Sequence, residues 1–164
     1  MAIHTLAQVR IADFEATRVG AFTYRGDVCK IADAIGQFIA WRKENHLPPA
    51  RHATFNICHD MLNAAHGKGE VYLDICAATE GEIGVNRFGV IEKTIPGGRC
   101  AVLRHVGSEA GLGAAVAFLY TEWLPQSGEA LRDFPLFLQR VHFFPEVPED
   151  RTVIDIFLPL RPAA

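Results

Sequence analysis

The chain repeats itself, and that repetition limits the folds open to it more than any other feature. Arg18 returns as Arg99, Gly26 as Gly107, and Leu73-Asp74-Ile75 as Ile154-Asp155-Ile156, all at one offset of 81 in the numbering. After each glycine comes a helix-period pattern that ends in a tryptophan, Trp41 in the first half and Trp123 in the second, the second copy being one residue longer. Markers in one order at one spacing argue for a duplicated module, and 164 residues are twice 81 with two to spare.

Each half predicts the same elements. In the first, Val9–Ala12 and Val19–Tyr24 alternate as strands. Asp27 is the expected N-cap of a helix whose apolar stripe is Val28, Ile31, Ile35, Phe38 and Ile39, ending near Pro48-Pro49. Two β-rich runs follow, Ala53–His59 and Val71–Ala77. In the second half the strands are Val90–Ile95 and Arg99–Val106, joined by a hairpin signal at Pro96-Gly97-Gly98. Ser108 is the expected cap, and Leu112, Val116, Leu119, Tyr120 and Trp123 form the stripe, with Pro125 as its end. Leu136–Phe144 and Thr152–Leu160 close the chain as strands. The fold class is therefore α+β. The expectation is duplicated strand-helix-strand-strand modules, antiparallel sheets, two helices packed on one side and a central groove between the halves. One domain spans residues 1–164, with a first module at about 1–79 and a second at about 88–164.

Composition excludes several functions. Lys+Arg 16 against Asp+Glu 19 leaves a net charge of −3, without the basic excess of a nucleic-acid binder, so direct nucleic-acid binding is not expected. Neither a secretory signal nor a membrane-length apolar run is visible, which makes the cytoplasm the expected compartment and a membrane partner unexpected. Cys29, Cys58, Cys76 and Cys100 stand singly among apolar neighbours and read as small buried hydrophobes, not as a disulfide or zinc framework. No nucleophile elbow, Walker loop or zincin motif occurs; Gly67-Lys68-Gly69 reads as a turn, and no cofactor or metal is called for.

A pocket is then the expected site, in the groove between the halves. Trp41 and Trp123 end the two helices, Tyr120 lies one turn before Trp123, and Tyr24 precedes the first helix, so these four are the candidate aromatic walls. Glu122 stands beside Trp123 as the candidate carboxylate, while His59 and His105 sit at or near strand ends. His66 flanks a loop and reads as solvated. Asp74 and Asp155 alternate with isoleucines and are expected to face away from the helices, toward solvent, their recurrence marking a shared structural hydrogen bond.

Several stretches resemble one family. Pro96-Gly97-Gly98-Arg99-Cys100-Ala101-Val102-Leu103-Arg104-His105-Val106-Gly107 resembles the PGGxYAVxxHxG run of gyrase-inhibitor-like (GyrI-like), AraC-type effector-binding domains. Tyr120-Thr121-Glu122-Trp123-Leu124-Pro125-Gln126-Ser127-Gly128-Glu129 is similar to that family's Y-x-x-W-L-P-x-S-G-x-E signature, and Thr152–Leu160 to its closing strand. The first half matches more weakly, through Arg18-Val19, Arg25-Gly26 and His59-Asp60. The resemblance implies a bacterial small-molecule binder related to transcription regulation and multidrug recognition, holding its ligand between the modules. It also implies alternatives: a hydrolase of cyclopropane-type electrophilic toxins, with Glu122 and Tyr120 as its catalytic pair, or a gyrase-modulator-like protein-interaction module.

One departure shapes the ligand. Many members carry a buried glutamate after P-x-F that recognises cations, whereas this chain reads Pro135-Leu136-Phe137-Leu138-Gln139, with Leu138 there and Gln139 beside it as a candidate polar contact. The expectation is a stand-alone binder, not an enzyme, of a small hydrophobic or aromatic compound, with an exposed edge strand per module as a route to a homodimer.

Overall fold

The computed structural model describes residues 4–59, 69–143 and 146–163, so Asp60, His66, Gly67, Lys68 and Phe144 lie outside the described residues. The protein is α+β, built of antiparallel strands and helices. It divides into two compact units, one of Ala16–Pro96 and one that joins Met1–Glu15 to Gly97–Ala164.

The first unit holds β2 (Thr17–Asp27), α1 (Ile31–Glu44), β3 (Thr54–Cys58), β4 (Glu70–Ala78) and β5 (Ile91–Ile95), in the order β3-β4-β2-β5. The second holds β1 (Arg10–Phe14), β6 (Gly98–Val106), α2 (Leu112–Phe118), a π-helical turn (Leu119–Trp123), α3 (Leu124–Ser127), β7 (Phe137–His142) and β8 (Val153–Pro159), in the order β1-β6-β8-β7.

The repeat is written into the ladders. Val19 faces Lys93 and Ala78, while Cys100, its counterpart in the repeat, faces Ala12 and Pro159. Thr23 faces Asp74 as Arg104 faces Asp155. Where Asn56 faces Ile75, Leu138 faces Ile156, so the outer strand has gained one residue on the inner.

The expected hairpin at Pro96-Gly97-Gly98 is corrected. β5 pairs with β2, and β6 pairs with β1 and β8. Each unit thus completes its four strands with the opening strand of the other sequence half. The modules at about 1–79 and 88–164 and the compact units divide the chain differently. A tight-turn signal specifies a local reversal; it cannot say which neighbour the next strand will find.

The stripe expected on α1 is also corrected. Asp27 does cap the helical entry, accepting the Cys29 N–H at 2.8 Å. The buried face, however, is Ala34, Phe38, Trp41 and Arg42, while Val28, Ile35 and Ile39 are 44%, 40% and 45% exposed. The core beneath α1 joins Ala34, Phe38, Trp41 and Leu47 to Ile75 and Ala77 of β4 and to Val90. Trp41 lies so close to Gly20 that a Cβ there would stand 2.5 Å from its Cη2 atom. Arg42 lies buried with neutral acceptors: its guanidinium donates to the carbonyls of Leu47 and His52 and to Thr54 Oγ1. Burial lowers its pKa to about 10, and it stands in the last turn of α1, where the helix dipole favours a cation.

On the second helix the stripe holds better, with Leu112, Val116, Leu119 and Trp123 buried and Tyr120 half-buried. Pro125 does not end it. The helix widens into the π turn, closed by the Leu124 N–H donating to the Leu119 carbonyl, and runs on to Ser127 before Gly128 turns left-handed at φ 74°. Ser108 holds the cap position, but its side chain makes no capping bond. In the same unit β1 contributes Phe14 to an aromatic cluster with Phe137 and Phe157, at 4.8 and 5.2 Å between centroids.

Candidate functional site

Arg18 and Arg99, the first marker pair of the repeat, do one job. Arg18 donates to the carbonyl of Glu80 at 2.8 Å, and Arg99 to that of Arg161 at 3.2 Å, each acceptor 62 residues downstream. Tyr24 and His105 are equivalent in the same sense. The Tyr24 hydroxyl donates to the Asp27 carbonyl, and His105 Nε2 lies 2.8 Å from the Ser108 carbonyl, which requires the Nε2–H tautomer. Each ring therefore locks a strand end to the residue that opens the following helix. Burial, with the nearby charges of Asp27, Asp33 and Cys29, raises the Tyr24 phenol. His105 is buried under Gly111, whose Cβ would meet its Cε1 atom at 2.9 Å, so its ring is committed to packing.

The tryptophans are core residues, Trp41 at 2% and Trp123 at 7% exposure. Packing against Gly20 and Phe38 accounts for Trp41. More open are Tyr120 and Gln139, both half-buried, and Glu122, which is exposed on the π turn. The Glu122 carboxylate meets no protein donor among the described residues, while its carbonyl accepts from Gln126 Nε2.

Asp74 and Asp155 do not face solvent, as alternation suggests. Asp155 is 6% exposed and accepts a two-pronged pair from Arg104, Nε to Oδ1 at 2.8 Å and Nη2 to Oδ2 at 3.0 Å. Asp74 is fully buried; Lys93 Nζ at 2.6 Å and His59 Nε2 at 3.1 Å share its Oδ2, and Thr23 Oγ1 reaches Oδ1 at 2.7 Å. Burial alone would push the Asp74 carboxyl up; the bonds from Lys93, Thr23 and His59 together outweigh it and hold the carboxyl below its usual value. His59 is thus bound to a buried acid and stacked on Tyr72 at 4.5 Å. Burial also pushes up the neighbouring Cys76 thiol. Alternation does set Asp74 opposite Ile75, which packs in the core beneath α1; what it cannot tell is that this second face is covered as well.

Sequence reasoning missed one group of exposed apolar side chains. Ile35 and Ile39, one turn apart on one face of α1, and Val28, in the 3-10 turn that enters it, remain two-fifths exposed or more. Periodicity identifies them as one stripe but cannot say that a neighbouring stripe, centred on Ala34 and Trp41, takes the core. Among the described residues no cluster of His, Cys, Asp or Glu could hold a metal ion, and no helix is long and apolar enough to cross a membrane.

Residues 7–161 match the family described as GyrI-like small molecule binding domain. In sequence the chain is similar to "Probable transcriptional regulator YgiV" of Escherichia coli (strain K12), 33% identical over 154 residues that cover 93% of this chain and 95% of that protein. In structure it is similar to the EcmrR C-terminal domain, with a TM-score of 0.75 at 16% identity over 95% of this chain and 98% of that one. Against EcmrR in its DNA complex the TM-score is also 0.75, and the match spans 58% of the EcmrR chain. SAV2435 bound to tetraphenylphosphonium is more distant, with a TM-score of 0.56 at 7% identity over 93% of each chain. At these identities the structural likenesses speak for the fold.

Proposed function

The chain belongs to the GyrI-like family of small molecule binding domains, and from that premise we propose that it binds an uncharged, largely apolar small molecule and that binding serves regulation. The observation that carries this reading is the open apolar face of α1. Three large aliphatic side chains, Val28 in the entering turn and Ile35 and Ile39 on α1, keep about two-fifths of their surface exposed, where burying the rest of each would be worth about 1 kcal/mol. Aliphatic side chains exposed at helical spacing offer an apolar ligand a place to be sheltered from water. Tyr24 is the proposed polar contact in the same unit as α1, and Tyr120, Gln139 and Glu122, half-buried or exposed, are proposed contacts in the other. The preference for a neutral ligand rests on Leu138 and its counterpart Asn56, both buried and neither charged, so no carboxylate waits at these positions for a cation. Similarity to a probable transcriptional regulator supports the regulatory use.

Calorimetric titration with three compounds of like shape tests this: triphenylphosphine oxide, tetraphenylphosphonium and tetraphenylborate. The neutral compound is expected to bind tightest, and Ile39→Gln to weaken it by about tenfold, or about 1.4 kcal/mol, while the protein still melts cooperatively. Binding of none of the three, or tighter binding of the phosphonium, overturns the proposal.

A further inference from the structure

The two helices of the repeat match residue for residue until one point. Each α-helix is entered by a 3-10 turn, Val28–Lys30 or Glu109–Gly111, and the two helices begin at Ile31 and Leu112, which are counterparts in the repeat. The buried residues keep step at first, Ala34 with Ala115 and Phe38 with Leu119, both 81 apart. They then slip, because Trp41 corresponds to Trp123, 82 away. The extra residue therefore falls within Tyr120–Glu122, and the π-helical turn Leu119–Trp123 is where the backbone absorbs it.

An inserted residue would turn everything beyond it by about 100° on an α-helix and swing Trp123 out of the core. A π turn takes one more residue per turn, so Leu119 and Trp123 both stay buried. Side-chain donors reach carbonyls along this stretch: Thr121 Oγ1 donates to that of Ala117 at 2.8 Å, and Gln126 Nε2 to that of Glu122 at 2.9 Å. Pro125 follows at once and has no N–H to offer the turn before it. The cost of the wider turn thus falls on local hydrogen bonding, and the gain falls on the side chains between the two anchors. Of these, Tyr120 is half-buried and Thr121 and Glu122 are exposed.

We infer that the π turn is a removable one-residue insertion whose role is to present Tyr120 and Glu122 to the ligand, which makes it the specificity element that distinguishes the second half of the repeat from the first. This rests on the small-molecule reading above for its ligand half, and on helix register alone for its structural half. The half-buried ring of Tyr120 and the exposed carboxylate of Glu122 suit a ligand that combines an apolar body with a hydrogen-bond donor.

Deletion of Thr121 tests it, with deletion of Gln37 from α1 as the control. Without Thr121 the helix regains the spacing of α1 and is expected to melt cooperatively within about 4 °C of the parent. Deletion of Gln37, where no π turn takes up the change, is expected to abolish the cooperative transition. Triphenylphosphine oxide, measured by calorimetry, is expected to bind the Thr121 deletion and Tyr120→Ala about tenfold more weakly than the parent. If deletion of Thr121 unfolds the protein as deletion of Gln37 does, the insertion is not removable and the inference falls. If the deletion folds and binds like the parent, presentation falls. A parent that does not bind the probe overturns the small-molecule reading, and presentation with it, while the melting pair still decides whether the turn is an insertion.

Discussion

Gly20 is a residue defined by its neighbour. Its missing side chain admits Trp41, and an added Cβ would lie 2.5 Å from Trp41 Cη2 and 3.0 Å from Ile83 Cδ1, well inside ordinary contact. Phe38, with its ring centroid 5.4 Å away, limits how far the indole can retreat. Gly20→Ala is expected to cost about 1–3 kcal/mol, read as a lower urea midpoint with an unchanged slope. Ala101, its counterpart in the repeat, already carries a methyl group in a fully buried site, so the cost belongs to this unit's packing and not to the repeat. Asp74 makes a second, pH-dependent prediction. Its carboxyl is held below the usual value in the folded protein, so it stabilises the fold fully above the unfolded value of about 3.9 and loses that contribution as pH falls through the folded value. Urea midpoints from pH 7 down to pH 2 should therefore fall more steeply in the parent than in Asp74→Asn, and parallel curves would rule the carboxylate out as a source of acid lability.

At the scale of elements, all eight strands among the described residues are legible in the sequence, because alternation and turn residues are local signals and the strands obey them. The repeat is legible too, and its markers prove to be positions where one contact is made twice: Arg18 and Arg99 on a carbonyl 62 residues on, Asp74 and Asp155 against the strand partner. What the sequence cannot carry are choices between equals. On α1 and the turn that enters it two apolar stripes compete, and tertiary packing gives the core to Ala34, Phe38 and Trp41 and leaves Val28, Ile35 and Ile39 open. Within Pro96-Gly97-Gly98 the turn residues are present, yet β5 lies beside β2 and β6 beside β1. Of the candidate site residues, Tyr120 and Glu122 have the exposure a contact needs, whereas the Trp41, Trp123 and His105 rings are buried in packing roles that sequence alone does not separate from binding. The extra residue before Trp123 is visible as a slip, but only the backbone shows that a π turn absorbs it.

For the whole molecule, the exchange of opening strands changes what can fold alone. A fragment cut at the sequence repeat, residues 1–79, keeps β1 and loses β5. It gives up the β2–β5 ladder, and with it Lys93, whose ammonium is 2.6 Å from the buried carboxylate of Asp74. His59 and Thr23 would be the donors left to that carboxylate among its four-group cluster, and a buried charge stripped of one partner costs about 3–5 kcal/mol. A domain of this size has little more than that to spare. The fragment 16–96, although it ignores the repeat, keeps α1, all four strands of its unit and the Lys93–Asp74 pair. It is expected to unfold cooperatively in urea, while 1–79 shows no transition. Cooperative folding of 1–79 without 16–96 would mean that the duplicated sequence, not the exchanged strand, sets the folding unit. If both fragments fold, the β5 ladder and Lys93 are dispensable. The outcome that fits the ladders is folding of 16–96 alone, since it alone keeps β5 and the buried acid's strongest partner in one piece of chain.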